Sequence, residues 1–152
     1  IDNDWHLRYI ELMPLGAGEE AQFSIDRYVP NHIVKAQIEA ALGKMTFVPN
    51  DNPSDESVNY RLPNAQGTVG FISPVSDPYC GTCNRMRLTA DGKFHLCLLH
   101  DNEIDLKKIL RDGGRLADVQ DALNRAVTAK PTGHDLAIGI HTRERKMYQI
   151  GG

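Results

Sequence analysis

Residues 80–100, CGTCNRMRLTADGKFHLCLLH, hold every cysteine of the chain: a C-x2-C pair at Cys80 and Cys83, thirteen further residues, and then Cys97. The same stretch sets the fold around it. RMRLTA and KFHLCLL flank Asp91-Gly92, a dipeptide that favours the positive backbone dihedrals of a tight antiparallel connection, so a β-hairpin is predicted here. Cys97, read as part of the second strand, then returns beside the loop that carries Cys80 and Cys83. All three sulfurs can converge on one point.

Three thiolates leave the question of a fourth ligand. Cys97-Leu98-Leu99-His100 is C-x2-H, so His100 can complete a Cys3His zinc site of structural type. A four-iron cluster, which usually takes four cysteines, would instead keep one iron without a protein thiolate, an open Lewis-acid position. Spacing does not choose between a zinc-stabilised binding module, a cluster that binds substrate, and a cluster that only carries electrons. A closed disulfide framework would leave one thiol over. Three buried apolar cysteines are disfavoured because Cys80 and Cys83 sit among the turn residues Pro78, Gly81 and Thr82. Arg85 and Arg87 lie two apart on the predicted first strand, so both leave one face while Met86 and Leu88 point to the other. Two neighbouring guanidiniums form a fork for carboxylate or phosphate. Their bland alternative is a solvated strand face with two unrelated charges.

Outward from the hairpin, WHLRYIELM (Trp5 to Met13) alternates as a strand and PLGAGEE after it reads as a loop. A helix is expected from Pro30, with Ile33, Val34, Ile38, Ala41 and Leu42 on one face and Gly43 closing it. KMTFVP, SVNYRLP and GTVGFIS read as short strands separated by polar turns. Beyond the hairpin, helices are expected around IDLKKILRDGG and RLADVQDALNRAVTAK, the second ended by Pro131. The tail HTRERKMYQIGG shows no periodicity. The fold class is α+β, with a mainly antiparallel sheet.

At 152 residues with 41% apolar content, the chain has the composition of an ordinary soluble globule. Its net charge of −3, with both signs interspersed, argues against nonspecific binding to duplex nucleic acid. No apolar run approaches the roughly eighteen residues of a membrane span, and no signal peptide is present, so a cytoplasmic location is expected. The chain begins without methionine directly before a strand, as a piece of something longer would.

DPYCGTCNRMRLTADGKFHLCLL resembles the C-terminal cluster motif of the GTP 3′,8-cyclases of molybdenum cofactor biosynthesis, a radical S-adenosylmethionine family. RYIELMPLG, GTVGFISPVSDPYC and the final IGG match it too, so the resemblance spans nearly the whole chain. It implies that residues 1–43 are the terminal strand and helix of an incomplete radical-SAM (β/α) barrel, and that residues 44–152 are a C-terminal [4Fe-4S] GTP-binding domain with a Gly-Gly tail. Carried over by position, Cys80, Cys83 and Cys97 are implied cluster ligands, Arg85, Met86 and Arg87 GTP contacts, and Met13 an S-adenosylmethionine contact. Arg8, Gly151 and Gly152 are implied catalytic residues. The implied reaction converts GTP to (8S)-3′,8-cyclo-7,8-dihydro-GTP, with the substrate as fourth ligand of the cluster. The family's C-x3-C-x2-C motif, which binds the second, N-terminal [4Fe-4S] cluster and cleaves S-adenosylmethionine, is absent from this sequence. This chain alone is therefore expected to be inactive. The implied partners are GTP, the preceding barrel, the next enzyme of the molybdopterin pathway and a second copy in a homodimer, with neither nucleic acid nor membrane. Ordinary roles stand beside these: an edge-strand charge for Arg8, a core filler for Met13, a frayed end for the two glycines.

Overall fold

The computed structural model describes residues 1–52, 54–136 and 142–150. The chain divides into two compact units, one of Ile1–Met13 and Ile25–Cys83, the other of Pro14–Ser24 and Asn84–Gly152. Among the described residues no helix is long and apolar enough to cross a membrane.

The first unit is built on strands β1 (His6–Ile10), β2 (Thr46–Val48), β3 (Ser57–Arg61) and β4 (Thr68–Ile72), in the order β1-β4-β3-β2. β1 runs parallel to β4, and the other neighbours are antiparallel. Because side chains alternate along a strand, this register gives the sheet two different faces. Val69 and Phe71 are buried on one of them with Met45, and Tyr9, Tyr60 and Leu62 pack around them. The Tyr9 and Phe71 rings stack at 5.7 Å, and Tyr60 meets Phe71 edge-on at 5.9 Å. The other face carries Arg8, Gly70 and Asn59 side by side.

Helix α1 (Glu19–Asp26) crosses from one unit to the other, and α2 (Asn31–Leu42) lies within the first. α2 begins after Pro30, whose fixed φ suits a helix start, and ends at Gly43, whose φ of +97° only glycine adopts freely. Its expected apolar face is used in part. Val34 and Ile38 reach the core, whereas Ile33 and Leu42 are exposed, because the small core of Met45, Val69 and Phe71 takes only a narrow stripe of the helix. α1 is a correction to the reading of PLGAGEE as a loop. Glu19 and Glu20 open the helix, where its positive end favours them.

The second unit holds an antiparallel sheet of β5 (Arg87–Leu88), β6 (Lys93–His95) and β7 (Glu103–Asp105), followed by α3 (Leu106–Arg111) and α4 (Leu116–Ala129). The hairpin turns at Gly92, with φ at +85°. It is shorter than expected. β5 starts only at Arg87, and β6 ends at His95, so Cys97 is not on a strand. The chain leaves the ladder to bury Leu96 and Leu99, and the Leu96 N–H donates to the Asn102 carbonyl at 3.1 Å. Glu103 to Asp105, with Ile104 at its centre, forms strand β7, whereas IDLKKIL reads as helix from its first residue. Asp105 both ends that strand and caps α3, its carboxylate accepting the Lys108 N–H at 2.7 Å. α4 buries Ala122 and Ala126 completely.

A Cβ added at Gly70 would stand 2.3 Å from Ser57 Oγ and 2.5 Å from Asn59 Oδ1, while one at Gly81 would meet nothing within 4 Å. Gly70→Ala is therefore expected to destabilise the protein by ~1–3 kcal/mol, and Gly81→Ala to leave stability near that of the parent. Denaturant unfolding of the two variants checks this, and equal effects would contradict the packing described.

Candidate functional site

In the first unit Cys80 opens a 3-10 turn over Cys80–Thr82, and its carbonyl accepts the Cys83 N–H at 3.2 Å. Both cysteines are half-buried, and no disulfide engages them. The loop that delivers them is held from below by a carboxylate at the end of β1. Glu11, 2% exposed, accepts from the backbone N–H groups of Asn31 (2.9 Å), Val75 (3.0 Å) and Ser76 (2.9 Å), and from the Ser76 hydroxyl (2.5 Å). Burial pushes this carboxyl up, but the hydrogen bonds from Ser76, Asn31 and Val75 outweigh it, and the group ends below the usual carboxylate range. Asn31 extends the node, its amide donating to the Ile72 carbonyl at 2.8 Å and to Ser73 Oγ at 3.0 Å. Sequence reasoning missed Glu11. The available signal was an acidic residue that follows Tyr9 on the apolar side of an alternating strand.

Arg8 and Met13 belong to the same unit. The Arg8 side chain is exposed, and its stem passes over Gly70, where a Cβ would come within 3.3 Å of Arg8 Cγ. Glycine at that position leaves the arginine room to lie along the sheet. Met13 is half-buried.

The second unit carries Cys97 and the arginines. Arg85 and Met86 precede β5 and Arg87 begins it, so the expected shared strand face does not extend to Arg85. A lysine that the sequence did not single out organises this region. Lys130 Nζ donates to the carbonyls of Arg85 (2.9 Å) and Leu96 (3.0 Å), joining the chain before β5 to the peptide that precedes Cys97. Cys97 and His100 share one turn, closed by the His100 N–H on the Cys97 carbonyl at 3.2 Å. His100 Nε2 is 3.1 Å from the Gly133 carbonyl and must carry the proton there, which leaves Nδ1 as the nitrogen with an available lone pair.

Among the described residues, no group of three histidine, cysteine, aspartate or glutamate side chains stands assembled for a metal ion. Cys80 and Cys83 are in the first unit and Cys97 in the second. The donors, three soft thiols with none in a disulfide and two of them on one short turn, are of the kind that an iron–sulfur cluster or a zinc ion takes. Gly151 and Gly152 lie outside the described residues.

The segment 142–150 is packed, contrary to the expectation from its lack of periodicity. Thr142 and Ile150 are fully buried. Asp101 accepts from the Thr142 hydroxyl (2.5 Å) and from the backbone N–H groups of Arg143 (3.0 Å) and Glu144 (3.1 Å). Arg145 grips Glu103 through Nε and a terminal nitrogen, and reaches Asp91 at 2.9 Å. Hydrogen bonds from Arg145 and then Thr89 hold the Asp91 carboxyl far below its ordinary value, and Glu103 and Asp91 push the Arg145 guanidinium up. Burial raises Asp101 and Glu103, but their hydrogen bonds, led by Thr142 and Arg145 respectively, leave both below ordinary.

Residues 5–136 match the model of the family described as Molybdenum Cofactor Synthesis C. Similar proteins include a GTP 3′,8-cyclase of Moorella thermoacetica, 42% identical over 97% of this chain and 44% of its own length. Others are GTP 3′,8-cyclases of Pelotomaculum thermopropionicum, 41% identical over all of this chain and 46% of its own, and of Crocosphaera subtropica, 37% identical over all of this chain and 48% of its own. The chain thus spans about half the length of the curated relatives it matches.

Asp101 and Glu103 titrate below their ordinary values of 3.8 and 4.5, so on acidification the unfolded chain takes up these protons first. Their contribution to stability is complete above about pH 5 and is lost as pH falls through those values to the lower folded ones. Arg145→Met should flatten this dependence between about pH 5 and 3, because Glu103 and Asp91 lose the partner that favours their charged forms. Unfolding midpoints followed across that range test it, and a slope equal to the parent's would contradict it.

Proposed function

The chain belongs to the Molybdenum Cofactor Synthesis C family, and from that premise we propose that it is the GTP-binding part of a GTP 3′,8-cyclase. The observation that carries the reading is the Cys80–Cys83 turn, free of disulfide and followed at once by Arg85, Met86 and Arg87. In this reading residues 1–43 end a radical-SAM barrel and residues 44–152 form the cluster domain. Cys80, Cys83 and Cys97 hold a [4Fe-4S] cluster. When bound, that cluster supplies an iron without a protein thiolate, the Lewis-acid position at which the guanine base of GTP is held.

The remaining roles fall to the chain's own groups. Arg85 and Arg87 clamp the triphosphate by charge-assisted hydrogen bonds, and Met86 between them contributes an apolar contact. Arg8, exposed on the sheet face opposite the core, takes the catalytic role that the family's arginine at this position has. Met13 contacts S-adenosylmethionine, and Gly151 and Gly152 bring bare backbone close to the substrate. The reaction would move the ribose C3′ hydrogen to 5′-deoxyadenosine, bond C3′ to C8 and add one electron and one proton to the base at N7, both supplied from outside this chain, giving (8S)-3′,8-cyclo-7,8-dihydro-GTP. The next enzyme of molybdopterin synthesis takes the product. A location in the cytoplasm and pairing of full-length chains as a homodimer belong to the same proposal.

The zinc reading needs His100 as a ligand. Its Nε2 is engaged with the Gly133 carbonyl, so a zinc site would have to use Nδ1 or break that bond. His100→Ala in the anaerobically prepared full-length enzyme is expected to leave iron and sulfide content near the parent's, whereas a Cys3His zinc site would lose most of its metal. Metal and sulfide analysis decides.

Arg87→Ala is expected to weaken GTP by roughly ten- to a hundredfold while the cluster absorbance stays, since a charge-assisted bond is worth on the order of 1.5–3 kcal/mol. Guanosine, which keeps the base and lacks the phosphates, should bind the variant as it binds the parent. Equal weakening of guanosine and GTP would refute the clamp. A GTP-insensitive cluster spectrum in the parent would favour an electron carrier over a substrate site.

A further inference from the structure

The cysteine turn stands at the end of a loop with little regular structure of its own. Between the end of β4 at Ile72 and Cys80, the loop has a backbone bond within itself, from the Asp77 N–H to the Ser73 carbonyl at 3.1 Å. What fixes the loop comes from elsewhere in the first unit. The Glu11 carboxylate takes two successive N–H groups, of Val75 and Ser76, on one oxygen, and the Ser76 hydroxyl and the Asn31 N–H on the other. Asn31 in turn holds the Ile72 carbonyl and the Ser73 hydroxyl, the first groups of the same loop. The anchor is thus tied to both β1 and the start of α2.

Such an arrangement is costly unless every lone pair is used. A carboxylate at 2% exposure is retained only where donors replace the water it loses, and these four do so. The two N–H groups it takes from the loop lie four and five residues before Cys80. An anchor at that distance limits how far the turn can swing, and its two bonds to adjacent peptides fix direction as well as position.

We propose that Glu11 is a positioning residue for the metal-binding turn: its buried carboxylate, with Ser76, holds the 73–79 loop so that Cys80 and Cys83 are presented ready to bind. This rests on the cluster reading given above, but its first consequence does not require a metal. Loss of the anchor frees the loop by local opening while β1, β4 and the second unit keep their own contacts. Cys97, in the other unit, serves as an internal reference.

The test uses the full-length enzyme with Glu11→Gln, in which an amide N–H2 replaces one acceptor and faces the donors it should receive, and with Ser76→Ala, which removes only the hydroxyl bond. In metal-free protein, alkylation of Cys80 and Cys83 relative to Cys97 is followed by peptide mass spectrometry. The ratio should rise by roughly tenfold or more in Glu11→Gln and by a smaller factor in Ser76→Ala, as loss of charge-assisted bonds implies. After anaerobic reconstitution, both variants should lose iron to a chelator faster than the parent in the same order. Should Glu11→Gln fail to fold, Ser76→Ala decides alone. An unchanged ratio in a folded variant, or an equal rise at all three cysteines, would overturn the proposal, since either would make Glu11 a general stabiliser of the fold. If the parent itself retains no iron, the cluster reading fails while the alkylation ratio still judges the anchor.

Discussion

A carboxylate placed where water cannot reach it must find other donors, and in the first unit the buried Glu11 finds them. Its four hydrogen bonds come from α2 and from the loop after β4. β1 is already joined to β4 as a parallel neighbour, and the Glu11 N–H continues that ladder by donating to the Ile72 carbonyl at 3.0 Å. Helix, sheet edge and cysteine loop therefore share one point. The apolar core of Met45, Val69 and Phe71 supplies hydrophobic stabilisation on the helix-covered face, but it does not select a loop conformation. Directional bonds to a charged acceptor do.

The second unit solves a similar problem with more charges. Its sheet has short strands, of two and three residues, and a chain that leaves the ladder soon after the hairpin. Lys130 joins the two carbonyls at the open end, while Asp101 and Glu103 tie segment 142–150 to the connection that follows Cys97. The acidic residues are paired with backbone N–H groups and with an arginine held by two carboxylates, a network and not an isolated surface pair. His95 lies against this network with its Nδ1 3.3 Å from Glu103, and its buried Nε2 has no hydrogen-bond partner among the described residues.

Much of the fold was legible because its signals are local. Asp91-Gly92, Pro30 and Gly43 each dictate a backbone conformation by their own stereochemistry, and the structure has a turn, a helix start and a helix end at those places. β2, β3 and β4 follow the period-two pattern. Strand β7 and the packed tail were not legible: β7 pairs with β6 across a connection that leaves the ladder at Leu96, and Thr142 bonds to Asp101, distant in sequence. The same limit applies to the site. Cys80, Cys83, Arg85 and Arg87 are visible as residue types at telling spacing, whereas Glu11 and Lys130 act through backbone groups that no spacing rule connects to them.

In the proposed function the three cysteines hold an iron–sulfur cluster with one iron left for the nucleotide. Mössbauer spectroscopy of the anaerobic, 57Fe-enriched full-length enzyme, recorded with and without GTP, addresses it most directly. The expected spectrum is that of a four-iron cluster in which one iron site changes its parameters when GTP is added, while the other three stay as they were. A spectrum without cluster iron, or a cluster whose irons all remain unchanged by saturating GTP, would contradict it.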